Sequence, residues 1–301
     1  MFNTPILFLI FNRPDTTVRV FERIREIKPA KLYVAADAAR EGRADESIRC
    51  AEARAIIERI DWDCDLKTLY RSENFGCKMA VSNAITWFFS QEEYGIILED
   101  DCLPDLSFFL FCEEMLLKYK DDERIGHVGG DSFFPELVTK GQSYDFCSFA
   151  HIWGWASWRR VWKNYDVNFE YWTKYKEDKN KRNSLFTSLR EKIYFSSSIT
   201  DALEGTSGIN TWDTQYFFML RTQHQLSIYP SVNLVTNIGI GDVNSTHTTK
   251  KNDKVHVLSK GISFPLTHPS YVLSNRDIDK VTIKKNFFSY KRLLRYILHK
   301  Y

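Results

Sequence analysis

Over the first hundred residues, short apolar runs alternate with longer stretches whose apolar side chains recur every three or four positions. Pro5–Phe11 (PILFLIF) is apolar throughout, the pattern of a strand covered on both faces. The segment that follows, VRVFERIREI, is spaced as an amphipathic helix that Thr16 or Thr17 can cap. Lys31–Ala36 predicts a second strand ending at Asp37, Asp45–Ile60 a second helix and Leu66–Tyr70 a third strand. Lys78–Phe89 predicts a third helix and Tyr94–Leu98 a fourth strand. This alternation predicts an α/β fold with a mostly parallel sheet flanked by helices.

Past residue 110 the regularity ends. Aromatic-rich loops follow, among them HIWGWASW at 151–158, then a charged segment at Tyr175–Asn183 and a glycine-bearing turn at Asn237–Asp242. No repeat and no hinge-like linker divides the chain. Residues 1–260 therefore read as one domain, with a sheet-based half over 1–110 and an irregular half over 111–260. Residues 261–301 read as a C-terminal extension.

Composition narrows the function. A chain of 301 residues with 44% hydrophobic content can bury a sizeable core. Its 41 basic and 39 acidic side chains leave a net charge of +2, so no global field favours nucleic acid. Ile6–Phe11 is too short for a secretory apolar region and follows no basic stretch. No run reaches 18 apolar residues, and the expectation is a cytoplasmic protein. The six cysteines (Cys50, Cys64, Cys77, Cys102, Cys112, Cys147) form no CxxC pair, which predicts reduced, mostly packed thiols.

Candidate chemistry concentrates at strand ends. In open α/β sheets ligands bind beyond the carboxyl ends of the strands. Asn12 and Arg13 follow the first strand, Asp37 the second, and the triplet Glu99-Asp100-Asp101 the fourth, so these residues are expected to converge on one crevice. Adjacent carboxylates that stay ionised imply a cation, because like charges otherwise raise one another's pKa. Oxygen ligands of this kind suit Mn²⁺ or Mg²⁺ held together with substrate phosphates. The alternative is an acidic strand end open to water. Neither GxGxxG nor GxxxxGK[ST] occurs after the first strand, so the usual glycine-rich phosphate cradles are missing.

Four motifs in order carry a resemblance: ILFLIFNRP at 6–14, VAAD at 34–37, ILEDDCLPDLSFF at 97–109 and WDTQYF at 212–217, followed by LVTNIGIGDVNSTH. The chain resembles metal-dependent nucleotide-sugar glycosyltransferases of the GT-A fold, in particular the N-acetylglucosaminyltransferase I family and bacterial family-2-like glycosyltransferases. The resemblance covers residues 5 to 250. It implies a Rossmann-like GT-A fold with a nucleotide-binding half (1–110) and an acceptor half (111–260). It also implies inverting transfer of a sugar, GlcNAc or similar, from a UDP-sugar to a glycan or lipid-linked glycan acceptor in surface polysaccharide synthesis. Arg13 and Asp37 would hold the uridine, Asp100 the ribose, Asp101 the metal and Glu99 the donor sugar. Asp213 would be the general base, although the same residue could simply cap the helix it begins.

Weaker positions follow from the same resemblance. Arg71, with Asn74 and Gly76 in YRSENFGCK, and Lys78 would lie near the nucleotide; a plain turn is the bland alternative. Asp131 in VGGDSFF would touch the sugar. Trp155 would offer an aromatic platform to the acceptor, although large aromatics are more often core. His247 would complete the metal shell, and Ser245 or His247 would bond phosphate.

Other functions stay open: a sugar-phosphate nucleotidyltransferase, or a non-catalytic module that binds nucleotide-sugar or glycan. The tail stands apart, since Lys280–Tyr301 holds seven Lys or Arg and no acid. Phe287, Phe288, Leu293, Leu294, Ile297 and Leu298 can form one stripe flanked by Lys291, Arg292, Arg295 and Lys300. Residues 284–301 either lie on an anionic membrane as a peripheral helix or pack this stripe on the domain.

Overall fold

The computed structural model describes residues 1–205, 211–240 and 257–299. Three strand–helix units open the chain: β1 (Ile6–Ile10) and α1 (Pro14–Ile27), β2 (Lys31–Ala36) and α2 (Ala44–Ala55), β3 (Asp65–Tyr70) and α3 (Gly76–Gln91). Then come β4 (Tyr94–Glu99), β5 (Cys102–Pro104), α4 (Leu106–Lys118), β6 (Ile125–Gly129), β7 (Tyr144–Cys147) and β8 (Trp155–Trp158). Helices α5 (Arg159–Trp162), α6 (Glu170–Tyr175), α7 (Lys179–Ser184), α8 (Leu189–Glu204) and α9 (Asp213–Thr222) follow. The remaining elements are β9 (Leu226–Pro230), β10 (Val235–Asn237), α10 (Arg276–Thr282) and α11 (Tyr290–His299).

Eight strands form one mixed sheet in the order β3-β2-β1-β4-β8-β6-β9-β7, while β5 and β10 pair separately and antiparallel. Strands β1 to β4 are parallel, as are β6 and β9, and β8 is inserted antiparallel between β4 and β6. The result is a Rossmann-like α/β architecture. Every residue of β1 is buried, as its continuous apolar run requires. The edge strand β3 leaves Leu66 and Tyr70 partly exposed.

The element boundaries differ from the sequence reading where local chemistry is stronger than periodicity. Helix α1 begins at Pro14, whose fixed φ and missing N–H suit a first helical position. Thr16 and Thr17 are therefore inside the helix, donating their hydroxyls back to the Arg13 carbonyl at 3.2 and 2.7 Å instead of capping. The second helix ends at Ala55 and tightens into a 3₁₀ turn over Ile56–Arg59.

Both halves of the chain share one sheet and one hydrophobic cluster, which runs from Phe8 and Leu98 through Phe108 to Trp155 and Tyr216. The extension also joins this body. Asn275 donates to Asp145 and to the Leu137 carbonyl, and Ile278 is fully buried beside Cys147 and Tyr229. All six cysteines are free, four of them buried. No helix among the described residues is long and apolar enough to cross a membrane.

Candidate active site

The chain leaves β1 toward β2 and β3 on one side, then returns past both to lay β4 on the other side of β1. This reversal opens a crevice beyond the carboxyl ends of β1 and β4. Arg13, just past β1, makes a short ion pair with Asp100, just past β4. Its other terminal nitrogen donates to Asp101 Oδ2 at 2.9 Å. The Phe11 N–H donates to the second oxygen of Asp100 at 3.0 Å. Asp100 and Asp101 are 2% and 7% exposed, so the guanidinium is a buried counter-ion shared by two neighbouring carboxylates.

The loop after β10 closes over this clasp. The Ile238 N–H donates to the Asp101 carbonyl at 2.8 Å. A Cβ added to Gly239 would stand 2.5 Å from Asp101 Oδ2 and 2.7 Å from Arg13, so any larger residue would wedge the pair apart.

One guanidinium does not balance the floor. Burial disfavours the charged form of Arg13, but Asp100 and Asp101 outweigh it and keep the group firmly protonated. Asp100 is pushed up to about 6 by burial, against the pull of Arg13 and with Asp101 adding to the rise. Glu99, at the end of β4, is half-buried, and its carboxylate takes no hydrogen bond among the described residues. Burial, then the charges of Asp101 and Asp100, push it up to about 8; Arg13 opposes the rise and Asp213 adds to it. Three carboxylates, Glu99, Asp100 and Asp101, thus act on one guanidinium.

Asp213 comes from the opposite wall. Trp155 on β8 stacks against Trp212 at 5.6 Å, and Tyr216 of α9 packs on the Trp155 ring at 4.9 Å, which holds the start of α9 to the sheet. Asp213 occupies the first turn there. Its Oδ1 accepts the Thr214 N–H at 2.6 Å and the Thr211 hydroxyl at 3.0 Å, so the carboxylate also orders the helix start. Its charge adds to the rise of Glu99, behind burial and the charges of Asp101 and Asp100.

The rim uses its acids differently. Asp37 accepts the Phe75 N–H at 3.0 and 3.1 Å and the Gly76 N–H at 3.0 Å, fastening the end of β2 to the start of α3. Glu46, 2% exposed, binds Arg40 through side chain and backbone and accepts from Asn12 Nδ2 at 2.9 Å. The Arg40 hydrogen bonds outweigh burial and hold Glu46 down at about 2.

Several positions expected to meet ligand do other work. Asn12 is 3% exposed and turned toward Glu46, away from a nucleotide role. Both oxygens of Asp37 are given to backbone donors. Trp155, at 1% exposure, is a core residue rather than an acceptor platform, sandwiched between Trp212 and His127. Asp131 is equally buried; it holds His151 Nδ1 at 3.2 Å and the Trp153 N–H at 3.1 Å, so it builds the site and does not face an acceptor. Arg71 lies 4.8 Å over the Phe75 ring and lines an open groove of about 670 Å³ with Arg54 and Tyr70. Lys78 is half-buried in the first turn of α3. Ser245 and His247 lie outside the described residues.

Sequence reading missed Glu46 and Gly239. Glu46 did carry a signal, since it stands at the third position of α2, where an acid reaches back to free N–H groups.

Among the described residues no group of three His, Cys, Asp or Glu side chains is arranged to hold a metal ion, so Asp101 could hold a divalent cation only together with ligands from outside the protein. Mg²⁺ and Mn²⁺ commonly bind through one or two carboxylates and complete their shell with substrate phosphates and water.

No family model matches the chain, and no curated protein matches it. Among solved structures, HddC from Yersinia pseudotuberculosis overlaps at a TM-score of 0.33 and 12% identity, over 56% of this chain and 83% of that one. A second structure of HddC from the same organism, complexed with GMP-PN, overlaps at the same TM-score and 9% identity, over 54% and 80%. At that level the likeness carries no weight for ligand or reaction.

Proposed function

We propose that the protein is an inverting, metal-dependent glycosyltransferase of the GT-A type, moving a sugar from a UDP-sugar to a glycan acceptor in surface polysaccharide synthesis. The observation that supports this most is the crowded acidic floor at the β1–β4 switch together with Asp213, a carboxylate in the first turn of α9 whose charge adds to the rise of Glu99. One carboxylate facing a sugar-nucleotide site is what an inverting transfer needs.

In this reading Asp213 accepts the proton of the acceptor hydroxyl as its oxygen bonds to the anomeric carbon. The bond from that carbon to the diphosphate breaks on the opposite face, and UDP leaves with the electron pair. Thr211 and the Thr214 N–H hold Asp213 in place through one oxygen. Arg13 fixes Asp100 and Asp101, and each carboxylate oxygen keeps a second lone pair with which Asp100 would accept from ribose hydroxyls. Glu99 meets a hydroxyl of the donor sugar. Asp101 would hold the divalent cation, which when bound supplies positive charge to the leaving diphosphate.

The test is product analysis with UDP-GlcNAc, UDP-glucose and UDP-galactose in the presence of Mn²⁺. The expected result is UDP release from one donor, accelerated by a glycan acceptor. Binding of donors without any UDP release would point to a binding module. Pyrophosphate formed from sugar 1-phosphate and a nucleoside triphosphate would point to nucleotidyl transfer.

A further inference from the structure

Helix α11 docks on α8 through its charged side. Arg292 donates to the hydroxyls of Ser197 and Ser198 at 3.0 and 2.5 Å and lies 5.3 Å over the Tyr194 ring. Arg295 pairs with both oxygens of Asp201 at 2.8 and 2.9 Å. Just before the helix, Phe287 is packed against Tyr194 at 4.7 Å and stacked on Phe149 at 5.5 Å, so the segment is pinned to the body.

The apolar side consequently faces outward. Tyr290, Leu294, Ile297 and Leu298 fall at i, i+4, i+7 and i+8, one face of a helix that turns about 100° per residue. They are 80%, 61%, 60% and 78% exposed. The sequence alternative in which this stripe packs on the domain holds for Phe287, while Phe288 and Leu293 are half-buried; Leu294, Ile297 and Leu298 are left outside because arginines with hydroxyl and carboxylate partners on α8 occupy the inner face.

Charge identifies what covers the stripe. Lys291 in the helix and Lys284 and Lys285 just before it are exposed, Lys285 lying 4.9 Å over the Phe134 ring, and Lys280–Tyr301 contains no acid. A second copy of this chain laid on the same face would bring lysines against lysines. An anionic bilayer would neutralise them while taking up the apolar side chains. We propose that α11 is a membrane-surface helix, lying in the interface of a bilayer that contains anionic phospholipid, with its arginines turned inward as the attachment to the protein. The attachment would hold whatever chemistry the crevice performs.

The experiment is flotation of the full-length protein with vesicles of phosphatidylcholine alone or mixed with phosphatidylglycerol, at low and high salt. Binding is expected only to the anionic vesicles and is expected to weaken with salt. Leu294→Glu combined with Ile297→Glu, and separately Lys284→Glu combined with Lys291→Glu, should each lower the bound fraction by roughly tenfold or more. Both pairs change exposed side chains, so thermal melting should be unaltered, and the lysine pair tests the idea even if the apolar pair disturbs folding. Failure of the full-length protein to bind anionic vesicles at low salt would overturn the proposal. Unchanged binding of the lysine pair would overturn it as well. A concentration-dependent dimer that Leu294→Glu with Ile297→Glu dissolves, in a protein that ignores vesicles, would assign the face to a second copy instead.

Discussion

Two groups of carboxylates stand at the same edge of the sheet, and their electrostatics are opposite. On the rim, Glu46 is held down at about 2 by the hydrogen bonds of Arg40, with Asn12 assisting. On the floor, Glu99 is pushed up to about 8 by burial and by the charges of Asp101 and Asp100. Both groups sit beside one arginine, Arg40 or Arg13. The difference lies in the ratio of acids to donors. A buried carboxylate that is fully supplied with hydrogen bonds ties elements together. Carboxylates crowded around too few donors cost stability, and such sites are where function is commonly found.

Removing the floor's counter-ion should have the largest effect. Arg13→Ala would leave Asp100 and Asp101 buried without compensation and should lower unfolding stability by about 3–5 kcal/mol, read from urea denaturation. A loss below 1 kcal/mol would mean that the two acids are hydrated and the clasp is incidental.

The next effect tests the wall opposite. Asp213→Asn keeps the shape and most of the helix-start hydrogen bonding, so the melting temperature should hold while turnover drops by roughly 10²-fold or more. Near-normal turnover would reduce Asp213 to its part in starting α9.

On the rim, Glu46→Gln should cost about 1–3 kcal/mol in stability without altering ligand affinity, because the side chain faces away from the crevice toward Arg40 and Asn12. Its pH signature follows from the depressed pKa. The stabilisation is fully present above the ordinary value of 4.5 and is lost as pH falls toward about 2. The wild-type advantage over Glu46→Gln in melting temperature should therefore vanish over that acid window.

The smallest effect has the opposite sign. Glu99→Gln removes the cost of keeping a proton on a carboxyl whose pKa burial has pushed up to about 8, and should stabilise the protein by about 1 kcal/mol at neutral pH without added divalent cation. Destabilisation would show that Glu99 already has a partner.

The parallel half was legible because each strand and its helix are neighbours in sequence, so hydrophobic period alone separates them. Lys31–Ala36 is a strand with the same limits in both readings. Convergence of Arg13 with Asp100 and Asp101 also followed from their places at strand ends. What period cannot reveal is which partner a side chain meets far along the chain. Asn12 finds Glu46 34 positions away, and Asp131 finds His151 20 positions away, so residues read as ligand contacts are consumed by structure. Trp155 illustrates the same limit, since an aromatic run reads alike whether it faces a sugar or fills the space between a sheet and α9. The insertion of β8 between β4 and β6 is an equally non-local event.

The claim that the acidic floor receives a nucleotide diphosphate together with a divalent cation is tested most directly by calorimetric titration of UDP into the wild-type protein and Asp101→Asn, with Mn²⁺ and with chelator. The account predicts binding to the wild type with Mn²⁺, none with chelator, and none to Asp101→Asn under either condition. UDP binding that survives chelation unchanged, or that persists undiminished in Asp101→Asn, would contradict it.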